Sequence, residues 1–272
     1  TSYYDPYGEK ARRARRRKDA AHHKPTQYMP EDTEMQCLDE DETIITDESE
    51  TKSPVCVDEE VLMANPFAQT LVSKLQRHGI TPNSDIFNQH FLIDPQVIAK
   101  IVEASEITAD DNILEIGPGP GNLTEAIWDT CRAVRASLAT VELDNRFRNV
   151  LAELQSSKDI NMVWGDAIAL FGQLVETHGI NKVIANIPYK ILEPLLIAIH
   201  THRRIKMAVL MVGKRYTDRV TADLKTPSQR EEGFTKTSLF SQARFTPRIV
   251  ASVPRESFLP QPRTESAIVV LQ

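Results

Sequence analysis

Between positions 112 and 212 the apolar residues gather into short runs, and the stretches separating the runs carry apolar residues at helical spacing. The runs at 112–116, 137–144, 160–164, 182–186 and 206–212 predict strands, with helices near 95–105, 121–130, 145–155, 168–178 and 191–203. Such alternation specifies an α/β fold, a parallel sheet covered by helices on both faces. Upstream, 61–84 reads as one amphipathic helix, with Pro66 at a helix start and Gly79 just past its end. Downstream the pattern loosens through 215–237 and then gives two β-rich runs, 248–253 and 266–271.

The first sixty residues follow neither period. Residues 10–18 are a basic cluster suited to phosphates or to a targeting region, interrupted nearby by Asp5, Glu9 and Asp19. Residues 31–60 carry thirteen acids against one lysine and are poor in aromatics, so they bury too little surface to offset the entropy of ordering. The expected organisation is an irregular charged extension over 1–60 and a folded domain over 61–272.

Charge changes the picture only when divided along the chain. The net charge is −6, yet residues 190–272 hold fourteen bases against seven acids, while 61–189 hold nine bases against fifteen acids. The last third is therefore the expected partner of a polyanion. Cys37, Cys56 and Cys131 have no C-x-x-C spacing, which suggests neither a disulfide scaffold nor a zinc site. No run approaches the length of a membrane-spanning helix, and no membrane partner is expected.

Candidate chemistry sits where predicted strands end. After the 112–116 run come Gly117, Gly119 and Gly121, at a spacing that differs from G-x-G-x-x-G because Asn122 holds the last slot. Glycine there lets backbone approach a nucleotide-like ligand. The next run ends in Glu142, placed to accept ribose hydroxyls, and the third ends in Gly165-Asp166-Ala167. Asp166 can bond an adenine amine or cap the following helix. The fourth ends in Asn186-Ile-Pro188-Tyr189, where an amide oxygen, a proline-fixed carbonyl and an aromatic face come together.

In chain order, Asn88-Gln89-His90-Phe91-Leu92-Ile93-Asp94, Glu115-Ile-Gly-Pro-Gly-Pro-Gly121, Glu142-Leu-Asp144, Gly165-Asp166-Ala167, Asn186-Ile-Pro-Tyr189 and the segment from Phe258 to Ala267 resemble the rRNA adenine dimethyltransferases, the KsgA family. The resemblance implies a Rossmann-like class I methyltransferase with a seven-stranded, mostly parallel sheet and a terminal antiparallel strand pair. It implies S-adenosylmethionine as cofactor, held by Gln89, His90, Leu92, Gly117, Gly119, Gly121, Glu142, Asp166, Ala167 and Asn186. Asn186, Pro188, Tyr189 and Phe258 would then aim and cover the adenine, with no metal. The implied activity is N6-dimethylation of adenosines in small-subunit rRNA. The alternative is a methyltransferase-like assembly factor that only binds a maturing subunit.

The chain departs from the family pattern at Asn88, where a glycine is usual, and at Gly213-Lys214-Arg215 and 225–235, which border the substrate. It stops after the last predicted strand, so the family's helical C-terminal domain is expected either to be cut off or to be replaced by another protein. Expected partners are small-subunit rRNA, the pre-ribosomal particle, and ribosomal or assembly proteins reached through residues 1–60. A biased extension and a start at Thr1 lead us to expect a mitochondrial location, with the nucleolus or cytoplasm as alternatives.

Overall fold

The computed structural model describes residues 64–82, 89–158, 160–222 and 235–272. The extension over 1–60, Asn88, Lys225 and Arg230 lie outside the described residues.

Helix α1 (Pro66–Arg77) starts where Asn65 Oδ1 accepts the Phe67 and Ala68 N–H groups, both at 3.0 Å, and its apolar stripe buries Ala68, Leu71, Val72 and Leu75. After it come β1 (Phe91–Leu92), α2 (Pro95–Ala104), β2 (Asn112–Ile116), α3 (Asn122–Val134), β3 (Ser137–Glu142), α4 (Arg148–Ser157), β4 (Asn161–Trp164), α5 (Ala167–His178), β5 (Lys182–Asn186), α6 (Leu192–Thr201) and β6 (Met207–Gly213). The chain closes with α7 (Lys214–Thr221), α8 (Lys236–Gln242), β7 (Pro247–Val253), β8 (Phe258–Leu259) and β9 (Ser266–Leu271).

Seven strands form one sheet in the order β4-β3-β2-β5-β6-β9-β7. Strands β2 to β6 pair in parallel, and β9 runs antiparallel to both neighbours, so the last strand slots between β6 and β7. β6 is buried along its whole length, as an apolar central strand must be when helices cover both faces. One core cluster gathers α1, α2, α3 and α4, with Ile113, Leu138 and Ile184 beneath them. The other gathers α5 and α6 over Leu114, Val141 and Val183. Every parallel strand therefore points its carboxyl end to one edge of the sheet, where ligands bind in such folds.

Two features depart from the sequence reading. The stretch over 215–237, expected to be loose, contains α7 and the start of α8. Helix α7 is short and mostly polar, and only Thr217 and Val220 are buried, with Tyr216 packed against the core beside them. A second, two-stranded sheet joins β1 to β8, with Phe91 opposite Leu259 and Leu92 opposite Phe258. Two residues per strand are too few to alternate visibly in sequence.

At the opposite edge Lys182 anchors the strand that carries Asn186. Its ammonium is buried and donates to Asp111 Oδ2 at 2.7 Å, Ser105 O at 2.6 Å and Glu106 O at 2.9 Å. Removing one partner of such a pair strands a buried charge. Lys182→Met should lower unfolding free energy by about 3–5 kcal/mol, and the double variant with Asp111→Asn should recover part of it. Urea unfolding midpoints check this; a single variant as stable as wild type would contradict it.

Candidate active site

Strand β2 leaves the sheet through Gly117, Gly119 and Gly121, all at positive φ (69°, 55° and 92°). At Gly121 the backbone angle and the packing both exclude a side chain, because a Cβ would lie 3.2 Å from Leu154 and 3.3 Å from Leu151. At Gly117 a Cβ would meet nothing within 4 Å. The loop is pressed onto helix α4 at one end and faces open space at the other.

Glu142, at the end of β3, fixes the loop. Its Oε2 accepts the Gly119 N–H at 2.9 Å and its Oε1 accepts the Asp144 N–H at 2.8 Å. Burial raises the pKa of this carboxyl, while the N–H groups of Asp144, Gly119 and Leu143 pull the other way. Beside it Leu143 is 52% exposed, an unusual state for leucine at a strand end. Sequence reasoning missed it; the signal was an apolar residue between two acids at the end of an otherwise buried strand.

Asp144 is buried and engages Arg146, whose Nε and Nη2 both donate to the carboxylate. Gln89 Nε2 donates to Asp144 Oδ2 at 3.0 Å, and Gln89 Oε1 accepts from Arg146 Nη2 at 3.1 Å. Burial alone would raise the Asp144 pKa, but hydrogen bonds from Arg146 and Gln89 outweigh it and hold the carboxyl below its ordinary range. Gln89, expected to contact a ligand, thus spends both ends of its amide on a clasp to the β3 end.

The remaining expected residues divide clearly. Asp166 caps α5, its Oδ1 accepting the Ile168 N–H at 2.8 Å, and Ala167 is buried in the first turn. His90 is half-buried and its Nδ1 lies 2.8 Å from Pro260 O; burial lowers its pKa, partly opposed by that carbonyl. Leu92 and Phe258 face each other across the β1–β8 pairing and are buried there, at 3% and 2% exposure. What this segment contributes is backbone: Leu92 O accepts from Asn122 Nδ2 at 2.8 Å, and His90 O accepts from Asn186 Nδ2 at 3.3 Å.

Asn186 ends β5 and is half-buried, with Oδ1 the amide atom left to accept. Pro188 O is already occupied by the Ile191 N–H at 3.2 Å, which turns the chain into a short 3-10 segment, Tyr189–Ile191. The Tyr189 side chain is outside the described residues. Strands β2, β3, β4 and β5 therefore bring Gly117, Glu142, Leu143, Asp166 and Asn186 to one edge. Among the described residues no cluster of three or more His, Cys, Asp or Glu is placed to hold a metal ion.

The described basic residues of the last third are spread over both edges of the sheet. Arg203, Arg204, Lys206 and Arg248 lie at the other edge of the sheet, and Arg244 is committed there, donating to the carbonyls of Ile199, His200, His202, Arg203 and Ile205. Lys190, Lys214 and Arg215 are exposed near the strand ends that carry the site.

A family model described as ribosomal RNA adenine dimethylase matches residues 82–272. The chain is 35% identical over 201 residues to the probable ribosomal RNA small subunit methyltransferase A of Pyrococcus abyssi, covering 72% of this chain and 67% of that one. It is 33% identical over 205 residues to ribosomal RNA small subunit methyltransferase A of Phenylobacterium zucineum, covering 75% and 68%. Among solved structures, a dimethyladenosine transferase from Plasmodium falciparum superposes with a TM-score of 0.54 at 28% identity, covering 67% of this chain and 62% of that one. The 23S rRNA methyltransferase ErmE gives 0.54 at 25% identity, covering 67% and 69%.

The Asp144 clasp has a pH signature. Because the folded-state pKa is depressed, its stabilisation is fully present above the unfolded carboxyl's pKa of about 4 and is lost as pH falls through the lower folded value. The gap in unfolding midpoint between wild type and Asp144→Asn should be constant from pH 5 to 8 and shrink below pH 4. A gap independent of pH would contradict the clasp.

Proposed function

The chain belongs to the ribosomal RNA adenine dimethylase family, and from that premise we infer that it transfers methyl groups from S-adenosylmethionine to the N6 amine of adenosines in small-subunit rRNA. The observation that carries this reading is the placement of Glu142, Leu143 and Asn186 at adjoining carboxyl ends of one parallel sheet, around open space at Gly117.

The residues fit the cofactor. Glu142 is an acceptor for ribose hydroxyls, exposed Leu143 offers an apolar face to the adenine ring, and Asp166 keeps Oδ2 for the adenine amine while Oδ1 caps α5. The Gly117 backbone leaves room for the methionine end. When bound, S-adenosylmethionine supplies a methyl group already activated by its sulfonium.

What the protein must add is aim. The lone pair of an adenine amine is delocalised into the ring. Asn186 Oδ1 accepts one N–H, and the Ile187 carbonyl, next to the occupied Pro188 carbonyl, accepts the other. Holding both protons in fixed directions draws the nitrogen toward tetrahedral geometry and frees the lone pair. This is catalysis by positioning and fixed dipoles, which asks little of a general base. Tyr189 supplies the stacking face for a base taken out of its helix.

Two finer readings complete the proposal. Residues 1–60, with their basic and acidic blocks, tether the protein to ribosomal or assembly proteins on a pre-ribosomal particle, and the protein works in the mitochondrion. Both rest on the composition of the extension. Phosphate contacts by Lys190, Lys214 and Arg215 would grip RNA without choosing its sequence.

Binding and chemistry should separate. Glu142→Ala should weaken S-adenosylmethionine binding by about 1.5–3 kcal/mol for each hydrogen bond lost to the carboxylate. Asn186→Ala should leave that affinity nearly unchanged and abolish transfer of labelled methyl to small-subunit particles. Asn186→Ala retaining full transfer would overturn the mechanism. Deleting residues 1–60 should weaken binding to particles more than binding to free rRNA, and a tagged full chain should image in mitochondria; equal effects on both RNAs, or nucleolar signal alone, would overturn these two readings.

A further inference from the structure

Directly under the glycine loop, on the α3 side of the sheet, four polar side chains share one buried layer. In the parallel register Glu115 of β2 lies beside Thr140 of β3, with Glu142 two residues on along the same face and Thr124 above them on α3. All four are buried, Glu115 at 1% exposure. Glu142 is satisfied by the Gly119 and Asp144 N–H groups. Glu115 Oε2 and Thr124 Oγ1 have no hydrogen-bond partner.

A fully buried carboxylate with no cation beside it and one oxygen unmatched is costly, since the Thr124 hydroxyl alone faces it, and the inexpensive state of Glu115 is the protonated one. Burial pushes its pKa up to about 8, with the Thr124 hydroxyl opposing and the charge of Glu142 adding to the rise. The other ionisable groups facing this layer do not neutralise it. Asp144 is matched by Arg146, Asp111 by Lys182, and the Cys131 thiol on α3 is pushed up to about 11 by burial. The layer is thus a buried patch of latent negative charge, tied to the glycine loop through the Glu142–Gly119 hydrogen bond.

The cofactor and its product differ at this place by one charge. S-adenosylmethionine carries a permanent sulfonium, and the S-adenosylhomocysteine left after transfer is a neutral thioether. We propose that Glu115 is a specificity-determining residue of the cofactor site: it gives up its proton to solvent when the sulfonium binds and keeps it when the site is empty or holds the thioether, so that the site prefers substrate to spent product. The proposal rests on the reading that this site takes S-adenosylmethionine. It assigns Glu115 no contact with the ligand; the residue acts through its charge from within the buried layer, where low dielectric strengthens such interactions.

The sign follows from linkage. Below about pH 8 the empty site holds the proton, so sulfonium binding releases it, and affinity for the sulfonium rises with pH by up to about tenfold per unit before levelling off. Affinity for the thioether carries no such share from Glu115.

Calorimetric titration of the full chain with each ligand, in two buffers of different ionisation heat, counts the protons. At pH 7 the wild type should release up to about one more proton with S-adenosylmethionine than with S-adenosylhomocysteine, and Glu115→Gln should abolish the difference. The ratio of the two affinities should climb between pH 6 and 8 in the wild type and stay flat in the variant. Equal proton counts for the two ligands in the wild type, or a difference that survives Glu115→Gln, would overturn the proposal. The wild-type comparison decides alone if the variant does not fold. Failure of both ligands to bind would instead remove the cofactor reading itself, and this inference with it.

Discussion

The site depends on one buried carboxylate. Glu142 takes a hydrogen bond from the glycine loop with one oxygen and from the turn after β3 with the other, so the end of one strand sets the shape of the loop that follows its neighbour. Hydrogen bonds to a charged group are the stronger kind, and breaking either leaves an N–H as well as a carboxylate unmatched. The loop has little else to fix it from the open side, because Gly117 faces space. From the closed side it is held by packing on Leu151 and Leu154 and by Lys74, whose ammonium donates to Pro120 O at 3.0 Å. The same residue that is proposed to read the ribose therefore also builds the surface on which the ribose lies.

A second tie brings the amine-aiming residue to that surface. The β1–β8 pair carries the backbone of His90 and Leu92 to where Asn186 and Asn122 donate to it, joining β5, α3 and the segment ahead of α2. His90 is anchored in turn to Pro260. The segment that the resemblance assigns to the cofactor also serves as scaffold, with apolar side chains in the core and carbonyls holding asparagines in place. Helix α1 reinforces it from outside, through Asn65 Nδ2 to Ile93 O at 3.1 Å.

Much of this was legible in the sequence for a simple physical reason. Parallel strands buried on both faces are continuous apolar runs, their helices keep a helical period, and ligand groups must follow strand ends, so β2 to β6 and Glu142, Asp166 and Asn186 could be placed by pattern. The α7 helix could not be, because its eight residues are mostly polar and bury only Thr217 and Val220, too few to mark a period. The burial of Phe258 and Leu92 against each other could not be read either, because two-residue strands leave no alternation to show in the sequence. Leu143 and Glu115 went unassigned because an exposed leucine and a buried acid with an unmatched oxygen are statements about three-dimensional surroundings, invisible in a string that shows only that one follows an acid and the other stands two residues before a glycine. The fourteen bases of the last third could be counted in the sequence, but only the topology shows that Arg203, Arg204, Lys206 and Arg248 lie at the edge opposite Lys190, Lys214 and Arg215.

The central claim is that one edge of the sheet binds a nucleoside through Glu142 and Leu143 and presents its reacting end to Asn186. A crystal structure with S-adenosylhomocysteine tests it most directly. The account expects both ribose hydroxyls on Glu142, the adenine ring against Leu143 with its amine toward Asp166, and the sulfur near Asn186, with the Gly119 N–H still on Glu142. A nucleoside seated elsewhere, or ribose hydroxyls with no contact to Glu142, would contradict it.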